Sequence, residues 1–163
     1  MLTIKPLAMK NLALLISILV LLGVYTSCND SAMNNDPTVV VANTYMNETR
    51  STGEVVAKSI KSWVMLYAVP EGVTPKTTQS IFDLGEGYFV DTQNKSHDRT
   101  YNLEDNGGGT SCEVEPGKYF VCVIAYDDGG KYTYKTVDIK EHDACSLSKT
   151  FRSEYPNYSF ESW

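Results

Sequence analysis

The sequence predicts an all-β chain: a single antiparallel β-sandwich of about seven strands, preceded by an export segment and a tether. Three observations carry this. Short runs rich in β-branched and aromatic residues recur through residues 38–150. Gly, Pro and Asp turn signals separate them. No helix is expected in the same region, because no stretch in it carries a convincing helical pattern.

Residues 1–27 come first. Lys5 and Lys10 give a positive start, with no acidic residue before Asp30, and residues 12–24 are apolar except for Ser17 and Gly23. As a helix this run covers roughly 20 Å, short of the ~30 Å hydrocarbon core of a bilayer. A charged start, a short apolar stretch and small residues before a cut describe a signal peptide. The run ends Val24-Tyr25-Thr26-Ser27-Cys28. This resembles the lipobox of bacterial lipoproteins, with Tyr25 where leucine is usual. The resemblance implies that Cys28 is alkylated by diacylglycerol and becomes an acylated N-terminus, and several acyl chains anchor stably where one does not. An ordinary signal peptide cut near this point is the competing reading. The Ser-Cys ending and Asp30-Ser31-Ala32 resemble lipoproteins of Bacteroidetes-type bacteria, which implies the cell envelope and its outer membrane. Residues 28–37 are small and polar and read as a tether.

Strands follow in order. Val39-Val40-Val41-Ala42 is β-branched, Val55-Val56-Ala57 comes next, and residues 63–69 form a longer apolar run. Residues 70–78 hold two prolines and Gly72 and read as a loop. Residues 88–90 and 100–103 are short strands, and Gly107-Gly108-Gly109 is a turn. Residues 112–115 lead to Pro116-Gly117, read as a two-residue turn into the next strand. Residues 119–126 have no polar alternation, so both faces of this strand are expected to be buried. Asp127-Asp128-Gly129-Gly130 is a hairpin turn, and residues 132–139 alternate as a half-exposed strand should. Glu115-Pro116-Gly117-Lys118-Tyr119-Phe120-Val121 and Trp63-Val64-Met65-Leu66-Tyr67 resemble the turn-and-strand patterns of transthyretin-like sandwiches, such as carboxypeptidase regulatory-like domains. The resemblance implies an immunoglobulin-like or transthyretin-like sandwich with Tyr119 between its sheets.

Charge and cysteine usage narrow the function. The chain is formally −6, and loss of Lys5 and Lys10 with residues 1–27 takes it to −8. A net acidic chain without a basic cluster excludes nucleic acid as a partner. With Cys28 lipidated, Cys112, Cys122 and Cys145 leave one disulfide and one free thiol; with Cys28 unmodified, two bridges become available. A two-residue turn at Pro116-Gly117 sets Cys112 opposite Val121, so Cys122 points to the other face. Cys122 also lies in the most apolar strand. By exclusion the expected bridge is Cys112–Cys145. The cysteine spacings do not suit zinc.

Little in the chain points to catalysis. His97 and His142 each have acidic sequence neighbours, but adjacent residues on a strand face opposite ways. Both are expected to be exposed loop histidines. Acid-rich turns at residues 127–130 and at Asp83 with Glu86 lack the spacing of a calcium loop and are read as turn chemistry. No metal, cofactor or catalytic residue is expected, and the chain is expected not to be an enzyme. The segment 151–163 is the most unusual, with five aromatics in thirteen residues. It is expected to wrap the sandwich and bury its rings. In the competing reading Tyr155, Tyr158, Phe160 and Trp163 contact a glycan or protein partner. Two function classes follow: a non-catalytic surface module that binds glycan or protein, and a structural or assembly lipoprotein such as a fimbrial or adhesin accessory. A row of exposed Tyr and Trp on one face favours the first; an unpaired edge strand, or a tail lying in a groove, favours the second.

Overall fold

The computed structural model describes residues 36–126 and 129–163. The export segment, Cys28 and most of the tether lie outside the described residues. No helix among the described residues is long and apolar enough to cross a membrane.

The chain is an all-β sandwich. One sheet holds β1 (Val39–Thr49), flanked by β10 (Ala144–Arg152) on one side and by β2 (Val55–Ser59) and β7 (Thr110–Glu113) in succession on the other. The second sheet runs β6 (Tyr101–Asn106), β3 (Lys61–Ala68), β8 (Gly117–Ala125), β9 (Lys131–Ile139). A separate hairpin joins β4 (Tyr88–Val90) to β5 (Ser96–Asp98). The described residues thus hold ten strands where seven or so were expected. Among these ten strands the pairing is antiparallel except between β1 and β10, which run parallel from Val39↔Ala144 to Asn47↔Arg152. A parallel pair needs a crossover rather than a hairpin, and here the whole second sheet lies between the two strands in sequence.

Alternation decides what is buried. On β1, Val40, Ala42, Thr44 and Met46 point inward; on β10, Cys145, Leu147, Lys149 and Phe151 do. They meet Tyr119, Val121, Val123 and Ala125 of β8 in the inter-sheet core. Tyr119 anchors the entry to β8, donating its hydroxyl to the Glu115 carbonyl at 2.8 Å. Burial, with Tyr101 and other neighbours adding to it, pushes this phenol up to about 12. The opposite residues of β8, Phe120, Cys122 and Ile124, enter a second core with Met65, Tyr67, Leu84 and Phe89. The central strand is therefore buried on both faces, as its unbroken apolar run requires.

The second core exists because residues 70–100 fold back over the outer face of the β3–β8 sheet. They contain a helix that sequence reading missed, α1 (Ile81–Glu86). Its signals were present. Ser80 caps it, accepting from Phe82 N at 3.2 Å, and Gly87 ends it at φ 106°. Six residues are too few to display a period. Gln79, itself buried, holds the layer together: its side chain donates to the Lys76 and Val90 carbonyls and accepts from Val90 N.

Residues 114–116 carry a second correction. β7 pairs with β1 and β8 pairs with β3, so the chain at Pro116-Gly117 crosses between sheets instead of making a hairpin. The cysteine register inferred from that hairpin therefore does not apply. Cys112 and Cys145 both face Val40 from its two flanking strands. Two strand spacings separate their backbones by roughly 10 Å, beyond the ~7 Å a disulfide can span. Cys112, Cys122 and Cys145 are all free. Burial pushes each thiol up, most of all that of the fully enclosed Cys122.

Candidate functional site

The third layer covers only part of the outer face of the β3–β8 sheet. At its uncovered end stand Trp63 of β3, with Ile124 and Tyr126 at the end of β8. Trp63 and Tyr126 lean together with ring centroids 4.9 Å apart. One wall comes from α1, through Ile81, Phe82 and Gly85. The other comes from the C-terminal segment and the β8–β9 turn, through Tyr158, Gly129 and Gly130. Together they bound a largely apolar cleft of about 260 Å³.

This cleft is built rather than incidental. Four aromatic rings face it, and three keep large exposed areas: Trp63 at 40%, Tyr158 at 66% and Phe82 at 73%. Tyr158 has φ 56°, a left-handed conformation that tyrosine rarely adopts. Its backbone N–H donates to the Gly129 carbonyl at 2.8 Å. Its ring lies so close over Gly130 that a Cβ there would come within 2.9 Å of it. The fold thus accepts backbone strain to hold an aromatic ring in solvent at the rim, and such strain concentrates at functional sites. Tyr126 is fixed by its hydroxyl, which donates to Glu104 Oε1 at 2.8 Å.

The tail residues separate into distinct roles. Phe160 packs on Tyr132 and Tyr134 of β9, with centroids at 5.7 and 4.6 Å. Trp163 lies beneath Lys135 Nζ at 4.0 Å from its ring centre. Tyr155 stacks with the Arg152 guanidinium and accepts a hydrogen bond from it. Of the four, only Tyr158 reaches the cleft. Trp63, Phe82 and Tyr126 were not legible as site residues, since Trp63 and Tyr126 bracket apolar runs that read as core and Phe82 lies in the unexpected helix.

Other candidates carry less. His97 is not an exposed loop histidine: it lies on Phe89, rings 15° apart, with Nε2 2.8 Å from Asp91 Oδ2. Its partner is thus across the β4–β5 hairpin, not the adjacent Asp98. The hydrogen bond from His97, followed by the N–H of Lys95, holds the Asp91 carboxyl below the usual carboxylate range. His142 is exposed and turns at φ 59°, with Nδ1 2.8 Å from the Asp36 carbonyl. Around it a second hollow of about 310 Å³ is rimmed by Asp36, Glu113, Glu115 and Glu141, all exposed. No group of three or more His, Cys, Asp or Glu among the described residues is arranged to hold a metal ion.

Comparison with protein families, with curated proteins and with solved structures finds no match to this chain in any of the three.

Proposed function

We propose that this chain is a non-catalytic lipoprotein of the cell envelope that binds glycan in the cleft between Trp63, Phe82, Tyr126 and Tyr158. The observation that carries the reading is the set of exposed rings on one face, with one of them held there by a strained backbone. Aromatic faces take the apolar side of a sugar ring and lose little side-chain entropy in doing so. Trp63→Ala is expected to weaken binding of neutral oligosaccharides at least about tenfold in calorimetry, roughly 1.4 kcal/mol. Its melting temperature is expected to fall, because the ring it removes is only 40% exposed and packs on Tyr126, so binding is compared at a temperature where both proteins are folded. Binding that survives this change unaltered would refute the assignment.

Location is the other half of the proposal, and it rests on the sequence ending at Cys28. Cys28→Ser is expected to give an uncleaved precursor or a soluble form. Unchanged membrane fractionation of that variant would contradict the anchor.

The assembly reading draws on β10, an edge strand with no neighbour beyond β1 among the described residues. It also draws on the tail, which bonds to Tyr132 of β9 and to Lys149 of β10. Yet Lys149 points inward from β10, a device that discourages edge-to-edge pairing. The tail's partners there belong to its own domain. The cleft is the better supported site.

A further inference from the structure

Resting on the cleft as the binding site, we infer that the surface continues onto β6 and takes an uncharged oligosaccharide of several rings rather than a single sugar. The register carries this. Trp63 stands opposite Glu104, Lys61 opposite Asn106 and Met65 opposite Asn102. Residues paired across an antiparallel ladder share a face, so Asn102, Glu104 and Asn106 project on the same side of the sheet as Trp63. All three are exposed, while the intervening Leu103 and Asp105 are buried. Alternate residues on a strand are ~6.8 Å apart, so the row extends roughly 14 Å, longer than one pyranose ring. β6 is the outermost strand of its sheet, which leaves the row open along one side.

The chemistry of the row complements that of the cleft. A sugar has an apolar face and a girdle of hydroxyls that both donate and accept. Trp63 and Tyr126 offer aromatic surface to the face. Asn102 and Asn106 each offer donors and an acceptor, and Glu104 offers carboxylate oxygens. The Tyr126 hydroxyl, bonded to Glu104, couples the two parts. An apolar peptide on this surface would strip water from two amides and a carboxylate without replacing it. Charge sets the remaining limit. Glu104 sits in the row, and the chain after Cys28 is strongly acidic, with only Lys61 opposing on this stretch of β3. Uronate and sulfate groups are therefore repelled.

The test is calorimetry on the purified chain with three neutral series of one to six rings: α-1,4-glucose, β-1,4-glucose and β-1,4-N-acetylglucosamine. Heparin and hyaluronate fragments of matching length serve as anionic probes. The affinity for at least one neutral series is expected to rise about tenfold or more between one and three rings, or roughly 1.4 kcal/mol. The double variant Asn102→Ala/Asn106→Ala should lose that gain while keeping its melting temperature and its Trp63-dependent binding of the shortest ligands. Affinity independent of ring number, or a double variant equal to the parent, would overturn the extended surface and leave the cleft standing. Anionic fragments binding as well as neutral ones would overturn the charge selection. Failure of every neutral series to bind through Trp63 would overturn both the extension and the cleft.

Discussion

Asp105→Ala is expected to destabilise the domain by about 3–4 kcal/mol, since hydrogen bonds to a charged group contribute ~1.5–3 kcal/mol each and an orphaned buried donor adds to the loss. The reason is local to β1. That strand changes partner midway: β7 pairs with it as far as Ala42, and β2 takes over at Tyr45. At the gap, the Thr44 carbonyl accepts from Ile60 N, but its N–H has no ladder partner. Asp105 Oδ2 supplies the acceptor at 3.2 Å, reaching across from the other sheet. Its Oδ1 accepts from the N–H groups of Gly107, Gly108 and Gly109 at 2.8, 3.1 and 2.9 Å. The glycine turn is thus wound around a buried carboxylate, an arrangement of successive N–H groups suited to an anion. Asp105→Asn keeps an oxygen for the glycines but turns a donor toward Thr44 N, so roughly half the loss, about 2 kcal/mol, is expected. Urea unfolding measures both. Losses below about 1 kcal/mol for the two variants would show that the carboxylate does not close the gap.

Glu161→Leu is expected to cost about 3–4 kcal/mol, because removing one partner of a buried ion pair leaves the other charge uncompensated. Glu161 enters the side of the sandwich with Oε1 3.0 Å from Lys149 Nζ, and both side chains are almost wholly buried. Its Oε2 accepts from Arg152 N and Nε at 3.2 and 3.3 Å. The backbone around it adds a short parallel bridge to β9, with Tyr132 N donating to Ser159 O and Glu161 N donating to Tyr132 O. Lys149 Nζ also donates to the Ser162 carbonyl at 2.6 Å. The double variant Lys149→Met/Glu161→Leu is expected to recover most of the loss, since replacing both members of such a pair with apolar groups is often neutral. Amide exchange over residues 156–163 should rise in the single variant and return toward the parent in the double one. A double variant as unstable as the single would mean that Lys149 plays no part in holding the tail.

Much of the fold was legible because burial writes itself into alternation. The run from Tyr119 to Tyr126 has no polar position, and the structure gives it a core on each face. β10 also carried its signal, with Cys145, Leu147, Lys149 and Phe151 at a spacing of two, but an inward lysine masked the apolar stripe. Phe151 therefore belongs to the inter-sheet core rather than to the tail. The cysteine pairing failed for a different reason. Pro-Gly marks a change of direction, and nothing local tells a hairpin from a crossing between sheets. The third layer was missed because its helix has six residues and its strands three each, shorter than any period can reveal. The cleft draws on β3, α1, the end of β8 and the tail, so only the folded chain brings its residues together. His97 shows the same limit, with its acidic partner six positions away across a hairpin.

The chain has two tryptophans, Trp63 in the cleft and Trp163 under Lys135. Trp163→Phe leaves the cleft ring as the sole tryptophan reporter. Titrating that variant with the neutral oligosaccharide series is predicted to change its emission saturably and to shield it from acrylamide, with the same midpoint in both readouts. Emission and quenching that stay constant across all three neutral series would contradict a glycan site at Trp63.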